Sequence, residues 1–173
     1  MQSGGHIGVD SAPGAGAAFT ILLPRAEGQP LGESVAQEAL PTDQADGTVL
    51  VVEDSPDVRA LTCDILSSHG YEVLSASDGA QALPLYRANA RRIDLVLSDL
   101  IMPAMDGQEL AARLVAEGWE TPVLFMSGHA ERDLLPRGAP GAAIGFIEKP
   151  FTSLTLLRAV RAALLEHKGR KKE

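Results

Sequence analysis

The chain holds 173 residues with 45% hydrophobic and 22% charged content, a globular composition rather than that of a disordered tail. A net charge of −8 speaks against a nucleic-acid-binding face, which is normally basic, and no apolar run approaches the roughly 20 residues that span a bilayer. The single cysteine, Cys63, excludes an internal disulfide and a thiolate zinc cluster, and without a basic-then-apolar leader the expected location is the cytoplasm.

In chain order, residues 1–26 come first. "GGHIGVDS" and "AAFTILLP" read as two strands joined by a turn through Pro13, Gly14 and Gly16, which predicts a β-hairpin. Residues 27–46 are polar, acidic and broken by Pro and Gly, the composition of a linker. From 47 to 168, short apolar runs alternate with longer amphipathic ones, and residues 169–173 form a basic tail. The runs "TVLVVE" (48–53), "YEVLSA" (71–76), "DLVLSD" (94–99), "TPVLFMS" (121–127) and "AIGFIE" (143–148) are rich in Val, Leu and Ile, as strands buried on both faces should be. Helices are expected between them. Ser55-Pro56 supplies a cap and a proline at the first helical position, and Asp78, Asp106 and Thr152 are the later caps. Pro84 should kink or shorten the second helix, since it lacks an N–H and its ring crowds the preceding turn. "GHAERDLLPRGAPGAA" (128–143) holds too many Pro and Gly residues for more than one or two turns of the fourth. Strand-helix alternation of this kind implies an α/β domain with a parallel sheet and right-handed crossovers.

Strands of a parallel sheet all end at one edge, where ligands bind. The polar residues expected there are Glu53 and Asp54 after the first of the five strands, Asp99 at the end of the third, Ser127 at the end of the fourth and Lys149 just past the fifth. One such residue alone is ordinarily a cap or a turn. Five at four of the five strand ends form a pattern. Three neighbouring carboxylates repel one another and take up protons unless a cation lies among them, and a site of hard oxygen donors suits Mg²⁺.

"VVEDS", "SDLIMPAMDG", "MSG" and "EKPF" stand at spacings that resemble the receiver domain of two-component response regulators, over residues 49 to about 165. The resemblance implies a flavodoxin-like, doubly wound five-stranded parallel sheet of order 2-1-3-4-5, here with an N-terminal β-hairpin extension. It implies a phosphoacceptor at Asp99, Mg²⁺ held by Glu53, Asp54, Asp99 and the backbone carbonyl of Ile101, a charge partner at Lys149, and a switch pair in Ser127 and Phe146. The residues that tune dephosphorylation in the family fall on Ile101 and His129. The hairpin resembles the last hairpin of a sensor histidine kinase ATP-binding domain, with Pro13, Gly14 and Gly16 matching its glycine box and Ala17 where a threonine is common. The other nucleotide-contacting boxes are absent, so no ATP binding is implied.

The expected function is phosphoacceptance in a phosphorelay, at the C-terminal part of a hybrid sensor kinase. None of His6, His69, His129 and His167 is followed by an acidic residue, so the donor is expected to be a histidine kinase or histidine phosphotransfer domain elsewhere. A homodimer is a possible partner arrangement; nucleic acid and membrane are not expected. The alternatives are an interaction module that signals without phosphorylation, and a phosphatase with Asp99 as nucleophile. That phosphatase pattern wants a second Asp at the position of Ile101.

Overall fold

The computed structural model describes residues 5–14, 16–22, 24, 46–128 and 143–170. Strands β1 (His6–Ala12) and β2 (Gly16–Leu22) come first, followed by β3 (Thr48–Val52), α1 (Pro56–Ser68), β4 (Glu72–Ala76), α2 (Gly79–Asn89) and β5 (Ile93–Asp99). Then come α3 (Gly107–Ala116), β6 (Val123–Ser127), β7 (Ala143–Glu148) and α4 (Ser153–Arg170). The chain divides into two units, Met1–Leu40 and Pro41–Glu173.

The five strands of the larger unit are parallel and ordered β4-β3-β5-β6-β7, the 2-1-3-4-5 order expected. Alternation of side chains along each strand explains why their sequences read as unbroken apolar runs. Leu50, Val52, Val96 and Phe125 face one layer of helix and pack with Tyr86 of α2 and with Leu110 and Leu114 of α3. Their strand neighbours Val49, Val51, Leu95, Leu97, Leu124 and Met126 face the other layer and pack with Leu66 of α1 and with Leu156, Val160 and Leu164 of α4.

The helix caps fall where expected, with one difference. Asp78 Oδ1 accepts from Gln81 N at 2.8 Å, Asp106 Oδ1 from Glu109 N at 2.7 Å, and Thr152 Oγ1 from Thr155 N at 3.2 Å. Ser55 occupies the cap position of α1 but makes no side-chain capping bond. Its backbone N–H turns instead to Glu53 Oε1, at 3.2 Å. Pro84 does not end α2, which continues to Asn89. The ring sits on the exposed side of the helix, where water can satisfy the carbonyl that loses its donor. Helix α4 runs to Arg170. The weak fourth helix, the linker up to residue 45 and His129 lie outside the described residues.

The described residues of the smaller unit form an antiparallel hairpin with Ile7 opposite Ile21 and Val9 opposite Phe19 on one face. Gly14 (φ 77°) and Gly16 (φ 82°) make the turn that only glycine adopts without strain. The four apolar side chains are 60–67% exposed.

Candidate functional site

The sheet order reverses at β3, since β4 lies on one side of it and β5 on the other. A crevice opens at such a reversal, beyond the C-terminal strand ends. Glu53 and Asp54 follow β3 directly, and Asp99 is the last residue of β5. One carboxylate oxygen from each lies within 4.8 Å of the others.

Asp99 is held on both oxygens. Oδ1 accepts from Leu100 N at 2.8 Å, and Oδ2 pairs with Lys149 Nζ at 2.9 Å. Lys149 also reaches Glu53 Oε2, at 2.6 Å, so one ammonium bridges two of the three acids. It is placed there by its own backbone, whose N–H donates to the Ser127 carbonyl at 2.7 Å across the ends of β6 and β7. Ser127 is buried, and its Oγ has no hydrogen-bond partner among the described residues. Phe146 is half-buried on β7, opposite Phe125 in the ladder and against the core on the α2 and α3 side. Ile101 lies in the loop after β5, with its side chain 51% exposed.

That loop closes tightly. Leu100 N also donates to Met126 O at 3.0 Å, and Gly107 N donates to Leu100 O at 3.1 Å. Between them Met105 N reaches back to Pro103 O at 2.7 Å across Ala104, whose φ of 65° is uncommon for a residue with a Cβ. Gly107 is where α3 meets the end of β5. A Cβ there would stand 2.2 Å from the Asp99 carbonyl oxygen and 2.9 Å from Ser98 Oγ.

Charge explains what the pocket can bind. Three carboxylates against one ammonium leave two formal negative charges unmatched, the charge of one divalent cation. Burial pushes the Glu53 carboxyl above its ordinary value, and Lys149 draws it only part of the way back. Burial works against the Lys149 ammonium too, but its bonds to Glu53 and Asp99 outweigh that and hold it above the ordinary lysine value. By linkage, Glu53 favours the fold below the ordinary glutamate pKa and loses that contribution as pH rises through the raised one. Lys149 favours it across neutral pH, until pH passes its own raised value. A donor set made wholly of oxygen fits a hard cation such as Mg²⁺ and not a thiophilic one.

A sheet of this order, with an acidic crevice, a buried hydroxyl and a lysine at its C-terminal edge, defines a receiver domain of two-component signalling. Residues 49–161 match the response regulator receiver domain family, and the chain belongs to it. The sensor kinase CckA of Brucella abortus is 36% identical over 171 residues, covering 94% of this chain and 18% of that kinase. The sensor histidine kinase RcsC of Salmonella typhimurium is 35% identical over 151 residues, covering 84% of this chain and 16% of the kinase. The chain thus spans less than a fifth of the length of these kinases. Among solved structures, the receiver domain of NtrX from Brucella abortus is 34% identical with a TM-score of 0.61, covering 68% of this chain and 98% of that one. The chemotaxis protein CheY4 of Vibrio cholerae is 32% identical with a TM-score of 0.62, covering 69% and 99%. No helix among the described residues is long and apolar enough to cross a membrane.

Two contacts had no clear signal in the sequence. The Lys149 bridge to Glu53 depends on side-chain reach, which spacing alone does not reveal. The guanidinium of Arg59 bonds the backbone carbonyls of Glu53 and Asp54; the available hint was an arginine one turn into the helix that follows them.

Proposed function

We propose that this receiver accepts a phosphoryl group on Asp99 from a phosphohistidine of a histidine kinase or histidine phosphotransfer domain, and passes the event on as a change of conformation. The observation that supports it most is Asp99 itself, buried and fixed at both oxygens in a pocket whose three carboxylates and one ammonium leave two formal negative charges unmatched. An Asp99 oxygen attacks phosphorus in line; the P–O bond forms, the P–N bond breaks, and the departing imidazole nitrogen takes up a proton. Catalysis of this kind is mostly positioning and charge neutralisation. Glu53, Asp54, Asp99 and the Ile101 carbonyl are the groups to hold Mg²⁺, which when bound supplies positive charge against the phosphoryl oxygens. Lys149 is released from Asp99 as the carboxylate becomes an acyl phosphate and turns to a phosphoryl oxygen. Ser127 donates its hydroxyl to another, and Phe146 turns into the space it leaves. Such a switch is a bistable element biased by a local change of charge.

Incubation with acetyl phosphate and Mg²⁺ followed by intact-mass measurement tests this. A single phosphate adduct is expected. Absence of an adduct supports an interaction module that works without phosphorylation, and rapid multiple turnover supports a phosphatase.

Cation binding stabilises the folded state by mass action, by about 1.4 kcal/mol at ten times the dissociation constant, and so raises the melting temperature. Asp54→Ala removes one acid while leaving the buried Lys149 bridge in place, so most of the Mg²⁺-dependent rise should disappear. Equal rises in both proteins would exclude Asp54 from the site.

Hydrolysis of the acyl phosphate needs a water in line with phosphorus. The Ile101 side chain is half exposed, apolar and branched, so it shields the phosphate without orienting a water. Ile101→Asn should speed autodephosphorylation about fivefold, roughly 1 kcal/mol of barrier, with Mg²⁺ and temperature fixed. An unchanged or slower decay of the adduct would show that Ile101 does not control water access.

A further inference from the structure

Arg59 lies in the first turns of α1, half-buried, and its guanidinium folds back across the start of the helix. Nη1 donates to the backbone carbonyl of Glu53 and, at 3.3 Å, to that of Asp54. These are the two residues whose carboxylates meet Asp99 in the acidic pocket. A hydrogen bond to a carbonyl restrains the orientation of its peptide plane, and two consecutive planes set the torsions of the residue between them. Holding the carbonyls of residues 53 and 54 therefore restrains the backbone of Asp54, and with it the direction in which its side chain leaves the loop.

Asp54 needs that help more than its neighbours do. Glu53 is buried, with its carboxylate tied to Lys149 and to the Ser55 N–H. Asp99 is buried at the end of a central strand and held on both oxygens. Asp54 alone of the three is exposed, on a loop whose helix start has no side-chain cap.

Charge alone points the other way. A guanidinium near a cation pocket repels the cation, so by Coulomb's law removing it would tighten binding. Geometry and charge thus predict opposite signs for the same substitution.

We infer that Arg59 is a positioning residue of the cation pocket, clamping the Glu53 and Asp54 carbonyls so that the Asp54 carboxylate is presented to the metal. The inference rests on the pocket's being the Mg²⁺ site. Groups that orient metal ligands commonly matter by tenfold or more in metal affinity.

The test is calorimetric titration of the full chain, its Arg59→Gln variant and its Arg59→Lys variant with Mg²⁺, beside melting curves in cation-free buffer. Arg59→Gln should bind Mg²⁺ about tenfold more weakly while melting within a few degrees of the parent. Arg59→Lys should recover part of the loss, because an ammonium can meet one of the two carbonyls but lacks the planar fork. Unchanged or tighter binding in Arg59→Gln overturns the inference, as does a fall in melting temperature with affinity unchanged, which would make Arg59 a support for the helix start. A parent chain that binds no Mg²⁺ overturns the underlying assignment of the pocket, and is told apart from the other outcomes by the parent titration alone.

Discussion

Asp99→Asn is expected to take up no phosphate from acetyl phosphate at any Mg²⁺ concentration, while melting within a few degrees of the parent chain. An amide is not a nucleophile under these conditions, yet it has the shape of the carboxylate. Its oxygen can keep the bond from Leu100 N, so the end of β5 stays in place. Lys149 loses the Asp99 pairing but keeps Glu53, at 2.6 Å. Removing one of three crowded negative charges relieves repulsion, which offsets the lost ion pair. The measurement is intact mass after incubation, with a melting curve on the same sample. An adduct at the parental rate would place the acceptor elsewhere, with Asp54 and Asp106 the next residues to replace.

Gly107→Ala should have the largest effect on stability. The added Cβ would sit 2.2 Å from the Asp99 carbonyl oxygen, which is backbone at the end of a central strand and cannot rotate aside as a side-chain tip can. The N-terminus of α3 has to move away from β5. That stretches the Gly107 N to Leu100 O bond and disturbs the loop that carries Ile101. Overpacking against such a neighbour costs roughly 3 kcal/mol, at the upper end for one added methyl. For a domain of this size that lowers the melting temperature by about 10 °C. Thermal denaturation of the variant checks it, and a loss under 2 °C would mean that α3 shifts freely. Adduct formation should slow as well, since the loop and the acceptor move together.

The sheet was legible in the sequence because its physics is local and repetitive. Strands buried on both faces have to be continuous apolar runs, and Val49–Val52, Leu95–Leu97 and Val123–Met126 divide alternately between two helix layers without a polar break. The caps Asp78, Asp106 and Thr152 were legible for the same reason, as each bonds a backbone N–H three residues on. The acids were legible as strand ends, and the expectation placed Glu53, Asp54 and Asp99 at one edge, where they meet. Ser55 sits at the cap position but its hydroxyl makes no capping bond, and the contact it does make, from its backbone N–H to the Glu53 carboxylate, leaves no trace in spacing. That α2 continues past Pro84 to Asn89 depends on which side of the helix faces water, a tertiary fact. The contacts of Arg59 and the second partner of Lys149 depend on side-chain reach, which composition and period do not encode.

Ser127 carries a consequence for populations. Its hydroxyl is 1% exposed and unpartnered among the described residues, and a buried hydroxyl without a partner costs about 1–3 kcal/mol. In the proposed switch the phosphorylated state brings an acceptor oxygen to Ser127, giving its hydroxyl the partner it lacks among the described residues of the resting form and so favouring the switched state. A Ser127→Ala chain, with no hydroxyl to leave unmet, should lie closer to its resting form even when it carries phosphate.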